Sequence, residues 1–480
     1  MEEFNSPPKS VTPVIGAATP TSIPGMDADR EVRRQRARNY FLALARRAEA
    51  NPEAADVLSS VLAGRVAEYW EPAFEAAMQA AENFEFAHVH PVIDEVIAKS
   101  LREKPDLNLI AELYNRIPLD TVLLKETGLE VFRQTVKAME NRNRVELHPA
   151  GYITLVLNLV ARLTQAEQMN EAEELAKKAL ELSRKKHSED ANTFNGALIN
   201  SLESMAIILS TKGEYQKCKE VRDEAIRLLR NTPGSERDFA QCLNNYAGIL
   251  MRLGDDVGAL AQSQESVRLY RNLVEDAKPE GTADFSKGLD AWVEDPRPNL
   301  AKALVGLSSY QDKAKLHQEC HASAKEAFDL FFTLSQEFPD QFLDAFGLAR
   351  HNLGMAKLGI GDREGGLREF QEAAVLFGNL AKINFIVYGP TYAHMLDSVM
   401  RGLVKSDRNE EALARVVECL GVYRSLNEKT SGRYAGKVRE WLEILKGFYE
   451  DLGRPEKAKE VATELAHFDQ TIQQAPSPAT

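Results

Sequence analysis

Small side chains recur at a nearly constant interval through the last two thirds of this 480-residue chain. Four of the intervals between successive members are 46 residues long, and the other two are 41 and 61. The members are Ala172, Cys218, Ala259, Cys320, Gly366, Ala412 and Ala458. Such a period is typical of a chain built from stacked copies of one structural unit, in which each copy packs only on its neighbours.

The unit is clearest in residues 239–271. Its first apolar stripe follows the spacing of a helix and consists of Leu243, Tyr246, Ala247 and Leu250. Gly254 then ends this helix, because glycine adopts a positive φ at little cost. Ala259 follows Ala247 by 12 residues. Small residues at both places let two antiparallel helices approach closely, so the pattern predicts a helical hairpin with a Gly-containing turn.

The spacing of these small residues and the turn between them resemble the tetratricopeptide repeat. Leu243-Asn244-Asn245-Tyr246-Ala247 is similar to the first helix of the longer variety found in kinesin light chains and in bacterial signalling arrays. The resemblance covers about residues 150–466. It implies an all-α, right-handed superhelical solenoid of antiparallel helix pairs with a helical N-terminal cap. The period exceeds the usual ~34 residues, so the helices must be longer or the loops between repeats larger.

Composition suggests the domain organisation. Residues 1–26 are rich in Pro, Ser and Thr and bury too little apolar surface to offset chain entropy, so we expect a disordered leader. Residues 27–149 are predicted to be helical, either as degenerate repeats or as a separate cap. The repeat array is predicted at 150–466 with an insertion at 276–299, and residues 467–480 are predicted to form a flexible tail.

Residues 30–47 contain seven arginines and one acidic residue, Glu31, on an apolar helical pattern. Two interpretations of this basic amphipathic helix remain open. It could pack on the array with its charged face in water, or it could contact an anionic partner or membrane surface. In the second interpretation the contacting residues are Arg33, Arg34, Arg36 and Arg38.

The insertion at 276–299 is rich in Pro, Gly and acidic residues, yet it contains Phe285 and Trp292. Inserted loops of repeat proteins map to one face of the array. An aromatic side chain in such a loop either packs the loop against the helices of the array or anchors a partner.

Several classes of function are disfavoured by the sequence. The net charge of −13 argues against nucleic-acid binding by the array. The chain has no apolar stretch long enough for a membrane span, and its N-terminus has no secretory pattern. Its four cysteines form no CxxC pair, so we expect reduced thiols and a cytoplasmic location.

Candidates for chemistry are few. His317, Cys320 and His321 have helical spacing that could hold zinc, but Cys320 occupies a small packing position and no fourth ligand is evident. We therefore expect no metal, no cofactor and no small-molecule substrate. Known nucleotide-loop, zinc-protease and nucleophile-elbow motifs are missing from the sequence, so we expect a protein that is not an enzyme.

A polar position recurs two residues before the small-residue position of the first helices. Its members are Asn158, Ser204, Asn245, Asn352 and Ser398. The family resemblance implies that this position faces the concave groove, where an Asn can hydrogen-bond the backbone of an extended peptide. An amide supplies both a donor and an acceptor, which matches a peptide group. Alternatively, these side chains cap or bridge neighbouring helices.

The sequence therefore predicts a non-catalytic interaction scaffold that holds a protein or peptide segment in its groove. The alternative is a regulatory subunit, or a substrate, of a larger signalling or defence complex, in which the N-terminal third is the effector.

Overall fold

The computed structural model describes residues 90–474 except 104, 106, 117–123, 143, 278–294 and 431. It also describes Val32, Arg36, Asn39 and Ala43, each in helical conformation. The chain divides into two compact units, Met1–Leu228 and Leu229–Thr480. The described residues contain helices and turns and no strand. The predicted leader, 1–26, lies outside the described residues.

In the first unit, each helix after α2 packs on the helix that precedes it in the chain. The helices are α1 (His90–Glu103), α2 (Leu107–Arg116), α3 (Lys125–Asn141), α4 (Pro149–Gln165), α5 (Met169–Glu189) and α6 (Ala191–Thr211). A further helix, α7 (Tyr215–Arg230), contains the boundary between the units. The described residues before α4 are thus mainly helical. Asp94 on α1 fixes the start of α3, because its carboxylate accepts from the backbone N–H groups of Glu126 and Thr127 at 2.9 and 2.8 Å.

The second unit is a run of helices in which each member packs on the next. They are α8 (Glu236–Arg252), α9 (Asp256–Asp276), α10 (Arg297–Lys313), α11 (His317–Glu337), α12 (Pro339–Gly359), α13 (Arg363–Ile383), α14 (Phe385–Lys405), α15 (Asn409–Lys429), α16 (Ala435–Asp451) and α17 (Pro455–Gln474). We call the even-numbered helices from α4 onwards first helices and the odd-numbered helices from α5 onwards second helices. The connection from α9 to α10 spans 277–296, so the ends of the insertion predicted at 276–299 belong to the two helices.

The period of 46 residues comes from long helices. From α11 to α15 every helix has 21 residues, and the connections alternate between one and three residues. Helix α13 begins 46 residues after α11, and α15 begins 46 residues after α13. Of the two explanations that the sequence left open, longer helices are therefore the correct one.

The recurring small residues lie at the crossings between helices, as predicted. Ala172, Cys218, Ala259 and Ala412 are fully buried. At the crossing of α12 and α13 a Cβ on Gly366 would lie 2.8 Å from the carbonyl oxygen of Gly354. The small residues seven positions later also lie at the crossings between helices. Ser266 Oγ donates to Ala240 O at 2.7 Å, and Cys419 Sγ donates to Ala393 O at 3.4 Å.

Each turn between a first and a second helix has the same backbone geometry. A residue with positive φ stands five positions before the small residue of every second helix: Glu167, Gly213, Gly254, Lys315, Gly361, Asp407 and Gly453. The next N–H in the chain donates back across the turn, as from Asp255 N to Leu250 O at 2.9 Å. This is the Schellman arrangement, which satisfies the last carbonyls of a helix. Each turn thus requires one residue in the left-handed conformation, and this residue is the predicted glycine in four of the seven turns.

Among the described residues, no helix is both long enough and apolar enough to cross a membrane.

Candidate binding surfaces

In α12 the recurring polar position lies within a stripe of exposed residues. In α12 the stripe runs Leu348, Asn352, Met355, at the i, i+4, i+7 spacing of one helix face. Leu348 and Met355 are 44% and 45% exposed, and Asn352 lies half-buried between them. One repeat later the same positions hold His394, Ser398 and Arg401 in α14. We call these six residues, together with Asn245 at the equivalent position of α8, the first-helix face.

Ser398 differs from an accessible groove residue. It is only 8% exposed, and its hydroxyl lies 2.8 Å from Nε2 of His351 on the neighbouring first helix α12. The ring of His351 also lies beside the rings of Phe370 and His394 at centroid distances of 5.2 Å. Burial, followed by the charge of His394, lowers the pKa of His351 to about 4. Ser398 therefore bridges two helices, as the second sequence interpretation allows.

The other polar positions have different surroundings. Asn245 in α8 is half-buried, and its Oδ1 accepts from Nε2 of Gln241 at 3.0 Å. Helix α10 lies between α8 and α12 in the order of packing, so Asn245 and Asn352 belong to first helices that are not adjacent. Asn158 and Ser204 are half-buried in α4 and α6 of the first unit, which pack on each other. Within the second unit, Asn352 and Ser398 are on adjacent first helices.

The remaining predicted contact residues are mostly outside the described part of the chain. Arg36 is helical and exposed. Phe285, Trp292, Arg33, Arg34 and Arg38 lie outside the described residues, so their roles remain predictions.

The cysteines are packing residues. All four are buried free thiols. Cys218 Sγ donates to the carbonyl of Ala206 at 3.2 Å across a helix pair. Burial raises the pKa of the Cys320 thiol to about 11, which disfavours the thiolate that a nucleophile or metal ligand needs. In the part of the chain that the structure describes, no three His, Cys, Asp or Glu side chains are grouped as a metal site.

The structure also shows a contact that the sequence analysis missed. The contact joins successive second helices. Its arginine stands 12 residues after the small residue of one second helix, and its glutamate stands six residues after the small residue of the next second helix. Arg184 donates to Glu224 through Nε and Nη2 at 3.2 and 2.5 Å, all within the first unit. In the second unit Arg271 pairs with Glu326 in the same way at 3.1 and 2.5 Å. A third such pair joins Arg424 to Glu464.

We call such an arginine–glutamate pair between successive second helices a strut. Each Arg and each Glu of a strut stands at a fixed distance from the small residue of its own helix. The pattern is therefore visible in the sequence once the repeats are aligned on their small residues. Elsewhere the arginine position changes. Arg230 places its guanidinium over the ring of Phe239 at 5.7 Å. The two repeats that follow the repeat of Arg271 carry Phe332 and Gly378 at this position.

A cleft of about 720 Å³ lies where Gly378 replaces the arginine. Helices α13 and α15 form its walls and α14 its floor. Its apolar lining includes Ala374, Val375, Phe385, Leu396, Val399 and Leu403. Its polar side carries Glu418, which accepts from the hydroxyl of Tyr392 and pairs with Arg415 of its own helix at 2.5 Å. Burial raises the pKa of the Tyr392 hydroxyl, so that hydroxyl stays protonated as a donor.

Comparison with known proteins identifies the repeat. The family model described as the tetratricopeptide repeat matches residues 154–190, which cover most of α4 and all of α5. Helix pairs with the same small-residue crossing and the same left-handed turn continue through α17. Residues 154–190 are therefore a tetratricopeptide repeat, and the later helix pairs share its crossing and its turn, which agrees with the resemblance seen in the sequence.

Solved structures that the chain resembles include RapI, a Podosopora anserina protein and YrrB. The apo form of RapI matches with a TM-score of 0.42 and 10% identity, over 67% of this chain and 99% of that one. The nearly identical repeats of a Podosopora anserina protein described as a kinesin light chain match with a TM-score of 0.38 and 14% identity, over 49% and 98%. YrrB, whose structure is described as having an unusual peptide-binding site, matches with a TM-score of 0.30 and 14% identity, over 49% and 91%. A search of curated protein sequences finds no match.

Proposed function

We propose that the protein is a non-catalytic interaction scaffold whose first helices hold an extended segment of a partner protein. The observation that carries this proposal is the stripe on α12, where Asn352 lies between exposed Leu348 and Met355. Exposed apolar side chains beside a polar group are typical of a surface that another protein covers.

Asn is a poor residue for the middle of a helix, because its side chain competes for backbone hydrogen bonds. Asn245 and Asn352 nevertheless stand at equivalent places in α8 and α12. A peptide group offers one donor and one acceptor, and the Asn amide can pair with both. In the proposed complex these two amides bind the partner's backbone, while Leu348 and Met355 contact its side chains.

The test begins with affinity purification after crosslinking, which identifies the partner, and continues with the crosslinked segment as a synthetic peptide. Asn245→Ala combined with Asn352→Ala should weaken binding of that peptide by roughly 1–3 kcal/mol, the cost of leaving peptide groups unpaired. The matched control is Gln264→Ala with Gln318→Ala, which removes two exposed amides from the second helices α9 and α11 and should leave affinity unchanged.

Recognition of the backbone also makes a prediction about the peptide. N-methylation of the peptide groups that pair with Asn245 and Asn352 should reduce affinity, whereas exchange of polar side chains at the same positions should have little effect. If the Asn double variant bound the peptide as tightly as the parent protein, the first-helix face would be excluded as the binding surface.

A further inference from the structure

Glutamates of successive second helices receive an arginine from another helix in most of the repeats described above. Glu224, Glu326 and Glu464 receive it through struts. Glu372 receives it from Arg350 of the first helix α12. The guanidinium of Arg350 also lies over the rings of Phe328 and Phe346, at 5.2 and 5.0 Å from their centroids.

Glu418 occupies the same place one repeat later, but the two positions that could supply an arginine have changed. Gly378 stands at the strut position and Leu396 at the position of Arg350. The large rings of the preceding repeat are also replaced, because Phe328 corresponds to Ala374 and Phe332 to Gly378. These changes open the cleft, since its wall lacks the two phenyl rings of the preceding repeat. The ring of Tyr392 lies against Gly378, 3.2 Å from the place of an added Cβ.

We propose that this cleft binds an arginine side chain of a partner polypeptide. The guanidinium would take the place of the strut, with Glu418 as its carboxylate partner and the ring of Tyr392 beneath it. Tyr392 corresponds to Phe346, over which the chain places the guanidinium of Arg350 in the preceding repeat. The apolar lining from Ala374 to Leu403 fits the methylene groups of the arginine and an aliphatic neighbour.

The charged groups around the cleft allow a second guanidinium to bind. A carboxylate offers about four hydrogen-bonding positions. Tyr392 uses Oε1 of Glu418, and Arg415 pairs with Oε2. Arg415 is 42% exposed and can turn towards solvent when a second guanidinium arrives. At the rim Glu411 pairs with Arg408, and the exposed Lys382 donates to the uncharged amide of Asn379.

Arginine fits this site better than lysine. A guanidinium can donate two parallel hydrogen bonds to one carboxylate and stack on an aromatic ring at the same time, whereas an ammonium is a strongly hydrated point charge. The cleft lies between second helices, so this proposal stands without the function proposed for the first-helix face.

The test uses the full chain and a defined probe, the peptide Ac-Ala-Leu-Arg-Leu-Ala-NH2, with ligand-observed NMR and calorimetric titration. Peptides with Lys, citrulline or Glu in place of Arg are measured in parallel. The Arg peptide should bind with a dissociation constant below about 1 mM, and the citrulline peptide at least tenfold more weakly. Absence of binding by the Arg peptide at millimolar concentration, or tighter binding of the Glu peptide, would overturn the proposal.

Variants locate the site. Gly378→Arg should supply an internal strut to Glu418 and reduce peptide binding at least tenfold, and Glu418→Gln should reduce it at least fivefold without filling the cleft. The matched control is Glu372→Gln, the equivalent glutamate of the preceding repeat, which should bind like the parent protein. The Asn245→Ala and Asn352→Ala double variant should also bind the probe normally, which separates this site from the first-helix face. A Gly378→Arg variant that melts cooperatively and binds the probe like the parent protein would refute the site.

Discussion

His351 and Ser398 connect two adjacent first helices through a buried hydrogen bond of 2.8 Å between Nε2 and Oγ. His351 is 9% exposed. The groups that face it are the ring of His394, the amide of Asn352 and the carboxylate of Asp397. Burial and His394 disfavour the charged imidazole more than Asn352 and Asp397 favour it, so the pKa falls to about 4.

This lowered pKa predicts a specific pH dependence of stability. An unfolded His has a pKa near 6.5, so between pH 6.5 and pH 4 the unfolded chain binds a proton that the folded chain excludes. The contribution of neutral His351 is therefore complete above about pH 6.5 and is lost as pH falls towards 4, by up to about 3 kcal/mol. Urea unfolding at a series of pH values should show this loss in the parent protein.

The variant His351→Gln isolates the effect. It removes the titrating ring but keeps a side chain that can hydrogen-bond Ser398. The difference in unfolding free energy between parent and variant should shrink as pH falls from 7 to 4.5. A difference that stays constant over this range would show that His351 does not control the acid response.

The crossing of α12 and α13 gives a second prediction. Gly366→Ala should destabilise the protein by about 1–3 kcal/mol, because the added Cβ would lie 2.8 Å from a backbone oxygen that cannot move aside. Gly421→Ala is the control, since Gly421 is a helical glycine and a Cβ added there would have no neighbouring atom within 4 Å. Alanine there should stabilise α15 by about 0.5–1 kcal/mol. Thermal unfolding of both variants should give shifts of opposite sign.

The left-handed turns give a third prediction. Lys315 is exposed and has a φ of 61°, a conformation that costs a side-chain-bearing residue about 1–2 kcal/mol. Lys315→Gly should therefore raise the unfolding free energy by roughly 0.5–1 kcal/mol, after subtraction of the larger chain entropy of glycine. Gly361→Lys, at the same position of the next turn, should lower it. Melting temperatures that move in the same direction for both variants would contradict this account.

The struts should add little to stability individually. Arg271 and Glu326 are 48% and 37% exposed, and exposed ion pairs contribute about 0–1 kcal/mol. A double-mutant cycle with Arg271→Met and Glu326→Gln should give a coupling energy within that range, and it should fall further in high salt. A coupling energy above about 2 kcal/mol would mean that the pair holds successive repeats together.

The helical hairpins could be predicted from sequence because their strongest constraint is local and repeated. Ala259 and Gly366 are small because two backbones meet there, and steric exclusion of larger side chains leaves a periodic pattern. The turn was predictable from Gly254 for the same reason. Lys315 and Asp407 were not recognisable as left-handed residues, since nothing but their phase in the repeat distinguishes them from other polar turn residues.

The binding surfaces were less predictable. The recurrence of Asn and Ser was visible, but whether a hydroxyl is accessible depends on the neighbouring helix. Ser398 is buried because His351 of α12 reaches it, and that contact spans 47 residues. The cleft beside Gly378 was missed because it results from an absence of side chains. It becomes visible only when Ala374 and Gly378 are compared with Phe328 and Phe332 of the repeat before.

The equal lengths of the helices from α11 to α15 have a genetic consequence. Because α13 and α15 begin 46 residues after the helices they resemble, a second copy of residues 363–408 inserted after residue 408 would join Asp407 and Arg408 directly to Arg363. It would bring Gly366 of the second copy to the crossing that Ala412 now occupies. The junction keeps the turn, the small residue and the phase of every later side chain. In-frame duplication of the codons for these 46 residues would thus add one repeat and keep the register of the later repeats. Their loss would instead place Ala412 against Gly354, where an added Cβ meets a backbone oxygen.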